Sequence, residues 1–372
     1  MQSAGKKLVS LMRGEPDFPT PPHIVEAANR AFAKGRTGYP DNRGEITFRQ
    51  AIADKLHRDN GLHFDPASEI LVTTGATLGI FTALMALLNP GDDVLLPDPI
   101  YDAYQSPIRL AGGRVVPVAT VLDQGRFTIT AQALEAACTP AAKVLLLNTP
   151  WNPVGTVFDA AELLTIARFC ERRNLVLISD EIYEAITYPA ACHISPLAAA
   201  PFLRERTVLV NSLSKTYSMT GWRAGYCAGP KNIINAMFLV LAQSSRGPAT
   251  FVQDAAAVAL SGSQDPVAKM LEEYARRRRV VLARLAAIPG VKALAPQGGF
   301  FAMADVRELG LPSKEIRRRL MHDHGVVTVE GSAYGQGGEG TLRVSFASGG
   351  DTLTKGLDAL VQGLTAIQEQ AR

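Results

Sequence analysis

Four cysteines stand in 372 residues (Cys138, Cys170, Cys192 and Cys227), and no two of them form a C-x-x-C pair. Such wide spacing argues against a disulfide framework and suits free thiols in a reducing compartment. Charge of one sign is also scarce: 38 lysines and arginines against 35 aspartates and glutamates leave a net +3, which makes no case for a nucleic-acid surface. No apolar run is long enough to span a membrane, and the opening Met1-Gln2-Ser3-Ala4-Gly5-Lys6-Lys7 is not followed by a signal-peptide core. Together these absences predict a cytoplasmic protein. Internal repeats and low-complexity linkers are missing too.

What is present is a chain with ample core, 47% hydrophobic and 20% charged, long enough for about two domains. From about Glu69 to Leu260, short β-branched or leucine-rich runs alternate with helical stretches, the signature of an α/β fold with a mostly parallel sheet. The expected strands are Ile70–Thr73, Val94–Leu96, Val115–Val118, Val144–Leu147, Val176–Ser179, Val208–Val210 and Ala224–Ala228. After Pro266 a long charged helix is expected through Arg279, followed by two strand-like segments, Gly299–Asp305 and Thr341–Ala347. The reading is a large α/β domain over residues 46–265 and a smaller α+β domain over 266–372, which the N-terminal segment 1–45 joins and completes.

Lys215 carries the functional argument. The apolar run Val208-Leu209-Val210 leads into Asn211-Ser212-Leu213-Ser214-Lys215, and Arg223 follows eight positions later. A lysine just past the carboxyl end of a buried strand loses solvation, which disfavours its charged form and makes the amine nucleophilic. Ser212, Ser214 and Arg223 would supply donors and positive charge for a phosphate beside it. A nucleophilic amine next to an anion site is what pyridoxal phosphate requires. Taken alone, Lys215 also reads as a solvated surface lysine.

Other segments end the same way. The run Leu175-Val176-Leu177-Ile178-Ser179 stops at Asp180, and ligands of open α/β sheets sit beyond the carboxyl ends of the strands. Asp180 there would keep a pyridine nitrogen protonated, with Tyr183 aimed at the ring oxygen; the other reading is a helix cap. In Asn148-Thr149-Pro150-Trp151-Asn152-Pro153-Val154-Gly155 the prolines and glycine hold Asn152, either as a donor to the same oxygen or as an ordinary Asn-Pro turn. Gly75-Ala76-Thr77 opens a helical pattern running from Leu78 to Leu88, where unpaired N–H groups and the helix dipole favour an anion. Tyr101 would lay its ring on the cofactor, or else begin a helix half-buried.

These segments together resemble the class I/II aminotransferases, the fold-type I family that uses pyridoxal phosphate. The likeness covers nearly the whole chain, from Gly14-Glu15-Pro16-Asp17-Phe18 and Tyr39-Pro40-Asp41-Asn42-Arg43-Gly44 to Gly331-Ser332-Ala333-Tyr334 and Leu342-Arg343-Val344-Ser345-Phe346. The resemblance implies that Lys215 is the imine lysine and proton shuttle, Asp180 the partner of the ring nitrogen, and Asn152 and Tyr183 the holders of the ring oxygen. It implies that Tyr101 stacks on the ring, while Gly75, Ala76, Thr77, Ser212, Ser214 and Arg223 grip the phosphate. Tyr39 would reach the phosphate of a neighbouring subunit, so a homodimer with shared sites is expected. Arg343 would clamp the substrate α-carboxylate, with Asn152 and Gly14 nearby; the other reading of Arg343 is an exposed strand arginine. The expected reaction moves an amino group from an L-amino acid to a 2-oxo acid by a ping-pong route. Rivals are a β-lyase on the same cofactor and a cofactor-sensing regulator, for which no extra binding module is visible.

The departures from the family pattern are Val154 for a usual threonine, Phe48 for a leucine before Arg49, and Thr77 where some enzymes for acidic substrates have lysine. Phe18, Tyr39, Trp151, Phe300 and Phe301 suggest an apolar or aromatic side-chain pocket. Gly335-Gln336-Gly337-Gly338-Glu339-Gly340 matches G-x-G-x-x-G, but a strand follows it where a dinucleotide site needs a helix, so it reads as a flexible loop. Arg276–Arg279 and Arg317–Arg319 read as solvated helix faces, and His322-Asp323-His324 as surface polar residues, so no metal is expected. His193 is assigned nothing.

Overall fold

The computed structural model describes residues 8–371, which leaves Met1–Lys7 and Arg372 outside. Its largest element is a seven-stranded sheet in the order Ile70–Thr73, Gly225–Ala228, Thr207–Ser212, Val176–Asp180, Ala142–Asn148, Asp93–Pro97, Arg114–Val118. All neighbours pair in parallel except Gly225–Ala228, which is antiparallel to both strands beside it. The expected strands are all present, extended by a residue or two at most ends. They were legible because a strand buried on both faces reads as a continuous apolar run.

Alternate residues of these strands serve different cores. Val144, Leu146 and Ile178 pack with the helices Ala76–Leu87 and Lys231–Ser244 on one face. Leu145, Leu147 and Leu177 pack with Ala160–Arg172 on the other. That last helix opens with a capping box, Asp159 accepting from Glu162 N–H and Glu162 answering to Asp159 N–H. Covered on both faces, the sheet leaves its strand ends as the place where polar side chains gather. Asn148 and Asp180 are register partners at the carboxyl ends of adjacent strands, and Ser212 closes the next one.

A second, four-stranded antiparallel sheet runs Lys292–Leu294, Phe301–Asp305, Thr341–Ser345, Val329–Glu330. Only its two inner strands were expected. The outer ones are two or three residues long, too short to show a period. The helices Asp265–Ala286 and Gly350–Ala371 cover this sheet around a core of its own. The first helix runs well beyond Arg279. Its basic cluster is not a solvated face throughout: Arg277 is 5% exposed and pairs with Asp17 and Glu273, while its NH1 donates to the Ala347 carbonyl. Near the amino end, Val9–Ser10 pairs in parallel with Val326–Val327, and Leu11 enters the smaller core. No helix among the described residues is long and apolar enough to cross a membrane.

Candidate active site

The carboxyl ends of the central strands face the smaller sheet across a cavity of about 440 Å³. Gly14, Ala76, Thr77, Tyr101, Asn152, Asp180, Tyr183, Ser212, Ser214, Lys215, Arg223 and Arg343 all line it. Residues separated by more than three hundred positions in sequence thus share one wall.

Lys215 sits on a single helical turn, Leu213–Thr216, that begins directly where strand Thr207–Ser212 ends. The Ser212 side chain caps that turn by accepting from Ser214 N–H. Lys215 Nζ donates to the Gly14 carbonyl at 2.6 Å. Burial pushes the amine down to about 8, with Arg223 adding to the fall and Glu15 and Asp180 opposing it.

Asp180 is 4% exposed, and burial pushes its carboxyl up to about 6. Tyr104 donates its hydroxyl to Asp180 Oδ2 at 2.7 Å, and Ile182 N–H reaches Oδ1 at 3.2 Å. The segment after Asp180 is a turn rather than a regular helix, so the carboxylate closes a local turn and still lines the cavity. Asn148 Nδ2 donates to the Asp180 carbonyl and so fixes the strand end. Neither Tyr104 nor Asn148 was expected in the site. Tyr104 was findable, since it lies one helical turn from Tyr101 and the two rings meet edge-on at 5.2 Å.

An anion cup lies at one end. Gly75 precedes the helix Ala76–Leu87, and a Cβ on Gly75 would collide with the Arg223 guanidinium. Gly225 comes close behind, where a Cβ would stand 2.7 Å from the Gly75 carbonyl carbon. These two glycines let the first N–H groups of the helix, the Ser212 and Ser214 hydroxyls and Arg223 close on one spot. The donors suit a phosphate group, and no carboxylate stands among them.

Arg343 lies at the other end, 7% exposed, with its guanidinium 4.1 Å from the Phe301 ring centre and 5.1 Å from that of Tyr334. It donates to Asn152 Oδ1 and to the Met12 carbonyl, both at 3.1 Å, while its buried Nε has no partner. An unpaired buried guanidinium N–H beside an open cavity suits a carboxylate ligand. The exposed-strand reading of Arg343 therefore fails. Since the Asn152 side-chain oxygen is committed to Arg343, what Asn152 offers the cavity is its amide N–H.

The expected set of aromatic pocket residues needs correction. Tyr39 is 84% exposed and lies outside the cavity lining, with the Arg246 guanidinium 4.6 Å from its ring centre. Of the aromatic residues expected around a side-chain pocket, Phe301 alone lines the cavity; Phe300 and Trp151 are core, and Phe18 packs edge-on against Tyr274. The His193 side chain is 5% exposed, with Nε2 at 2.9 Å from Glu181 Oε2. Glu181, Glu184 and His193 bring candidate ligand atoms within 4.8 Å of one another. The Lys55 ammonium already sits on Glu184, which also accepts from Asn60 and Asn211, while Glu181 accepts from the Ser179 and Ser195 hydroxyls, so this cluster is a hydrogen-bonded polar core behind the Lys215 turn.

Comparison with known proteins agrees with this arrangement. The family model described as "Aminotransferase class I and II" matches residues 6–360. The chain is 37% identical over 366 residues to an aspartate aminotransferase of Geobacillus stearothermophilus, covering 97% of this chain and 92% of that one. It is 38% identical over 355 residues to aromatic-amino-acid aminotransferase 2 of Thermococcus litoralis, covering 95% and 90%. The crystal structure of an aromatic aminotransferase from Pyrococcus horikoshii OT3 superposes with a TM-score of 0.94 at 38% identity, covering 98% of this chain and 96% of that one. A catalytic-type lysine, a buried strand-end aspartate and a matching sequence over almost the full length lead to one conclusion: the chain belongs to the class I and II aminotransferases.

Proposed function

We propose that the protein is a pyridoxal-phosphate-dependent amino-acid aminotransferase, carrying the amino group of an L-amino acid to a 2-oxo acid in two half-reactions at one site. The observation that carries this reading is the Lys215 amine, lowered to about 8, beside the buried Asp180 and between an anion cup and the Arg343 guanidinium. When bound, pyridoxal phosphate supplies an aldehyde that condenses with amines and a protonated ring that withdraws electrons from a substrate α-carbon.

The roles of the side chains follow from their positions. Ala76 and Thr77 N–H, with Gly75 allowing close approach, join Ser212, Ser214 and Arg223 to hold the phosphate. Asp180 offers its carboxylate to the ring nitrogen, and its own high pKa falls once a cation faces it. The Asn152 amide N–H and the Tyr183 hydroxyl would donate to the ring oxygen, and Tyr101 would pack against the ring. Arg343 takes the α-carboxylate through parallel N–H groups, including the unpaired Nε. Gly14 keeps Lys215 Nζ near the reacting carbon through its carbonyl. Lys215 Nζ takes the proton from the substrate α-carbon, a task suited to an amine whose pKa lies near the working pH.

The relatives' names speak for transamination over β-elimination. The reading further includes a homodimer in which the exposed Tyr39 reaches the partner's phosphate site. The division into 1–45, 46–265 and 266–372 fits the separate core of the smaller sheet. Four free cysteines support a cytoplasmic setting.

The decisive experiment loads the protein with pyridoxal phosphate and follows its visible absorption as single amino acids are added without an oxo acid. Bleaching by some amino acids, restored by a 2-oxo acid, is expected, and Lys215→Ala should lose turnover by about 10³-fold or more. Release of ammonia in place of bleaching, or undiminished turnover in Lys215→Ala, would overturn the proposal.

A further inference from the structure

The G-x-G-x-x-G loop, set aside as a nucleotide site, is not a flexible connector. It is folded against Asp98, a carboxylate 8% exposed just beyond strand Asp93–Pro97. Gly337 N–H donates to Asp98 Oδ2 at 3.0 Å, and Gln336 N–H also faces the carboxylate. Both neighbouring glycines are required by the closeness of the fit. A Cβ on Gly335 would collide with Asp98 Oδ1, and one on Gly337 would lie 2.8 Å from the Asp98 carbonyl oxygen. A second bond reinforces the first, Ile100 N–H donating to the Tyr334 carbonyl at 2.6 Å.

This junction lies between Tyr101 and the Arg343 end of the cavity. On one side, three residues past Asp98, stands Tyr101. On the other, Tyr334 leads into the loop, and its ring is one of the two that lie against the Arg343 guanidinium. Thr341–Ser345, the strand carrying Arg343, starts directly after the loop. Asp98 itself is held from behind, its N–H donating to the Val118 carbonyl at 2.9 Å and its carbonyl accepting from the Thr120 hydroxyl.

We propose that Asp98 is a positioning residue for substrate recognition: its carboxylate clasps the Gly335–Gly337 loop and thereby holds Tyr334 against Arg343, so that the guanidinium meets the α-carboxylate without first having to be ordered. The inference rests on the reading of Arg343 as the carboxylate receptor. A clasp of this type acts on the binding of every substrate alike, because all share the α-carboxylate, and it leaves the phosphate end of the site untouched.

The test uses the cofactor-loaded enzyme and 2-methylalanine, an amino acid with no α-proton, whose binding is followed by the shift in visible absorption. Asp98→Asn and Gly337→Ala are each expected to raise its Kd about tenfold, the scale of one lost hydrogen bond to a charged group, with the cofactor band retained. With turnover substrates the same variants should raise KM by a similar factor and change kcat little. In an Arg343→Ala background, Asp98→Asn should add nothing. Should Asp98→Asn fail to fold, Gly337→Ala decides alone, since it leaves strand Asp93–Pro97 intact. Unchanged Kd in both variants, or an effect that adds in full to that of Arg343→Ala, overturns the clasp while leaving the Arg343 reading in place. An unchanged Kd in Arg343→Ala itself brings down both.

Discussion

Lys215 and Asp180 are displaced from their ordinary ionisation in opposite directions, and burial is the first cause of both shifts. Each displacement costs stability in the cofactor-free protein. Asp180, raised from 3.8 to about 6, contributes stability that is full below pH 3.8 and lost as the pH rises through about 6. Lys215, lowered from 10.5 to about 8, contributes stability present above 10.5 and lost as the pH falls through about 8. At neutral pH both penalties are in force. Asp180→Asn keeps the shape and an acceptor for the Tyr104 hydroxyl but removes the buried charge. Stripped of cofactor, it should be about 3 kcal/mol more stable than the parent at pH 7.5 and equal to it near pH 4. Denaturant unfolding at the two pH values checks this; a variant less stable than the parent at pH 7.5 would rule it out.

Between strands and helices, the site depends on places where backbone approaches backbone. The antiparallel strand Gly225–Ala228 lies between Ile70–Thr73 and Thr207–Ser212, and Gly225 brings it against Gly75 and the first N–H of the phosphate-end helix. Gly225→Ala has no flexible side chain to displace, since its three nearest neighbours are all backbone atoms of Gly75 and Ala76. The substitution should cost about 1–3 kcal/mol and weaken pyridoxal phosphate binding together with stability. Calorimetry and equilibrium dialysis of one preparation would read both effects, and a normal Kd for the cofactor would argue against the close-approach account. The strands themselves were readable because their burial imposes an apolar run, and Lys215, Asp180 and Asn152 were readable because each ends or follows such a run. The short strands Lys292–Leu294 and Val329–Glu330 carry no comparable pattern. Tyr104 could be suspected only from its spacing to Tyr101, because the acceptor of its hydroxyl stands 76 positions away.

For the molecule as a whole, the same reasoning explains why Arg277 was misread. A run of four arginines on a charged helix gives no sign that one of them turns inward to meet Asp17, 260 positions earlier. There it ties the amino-terminal segment to the helix Asp265–Ala286 and to the carbonyls of Phe346 and Ala347. Arg277→Met would leave Asp17 with one ligand fewer and Glu273 to Arg276 alone. A loss of about 1–3 kcal/mol is expected, from the charge-assisted bonds to the partly solvated Asp17 and Glu273 and from the Phe346 and Ala347 carbonyls left without this donor. Thermal unfolding provides the measurement, and a change below 1 kcal/mol would mean that solvent already screens the pair.

The amino-terminal segment has one more consequence, for the order in which the molecule can be made. Val9 N–H donates to the Gly325 carbonyl, Leu11 N–H to that of Val327, and Ser345 N–H to that of Leu11. On a ribosome these residues emerge well before the strands that receive them, which are translated more than three hundred residues later. The central sheet can assemble while synthesis continues, but the Gly14 carbonyl that steadies Lys215 must wait for the carboxyl-terminal part of the chain. Competence for catalysis therefore waits until Val326–Ser345 has been made, and a nascent chain halted before Val326 carries a lysine turn with one wall of its site still unbuilt.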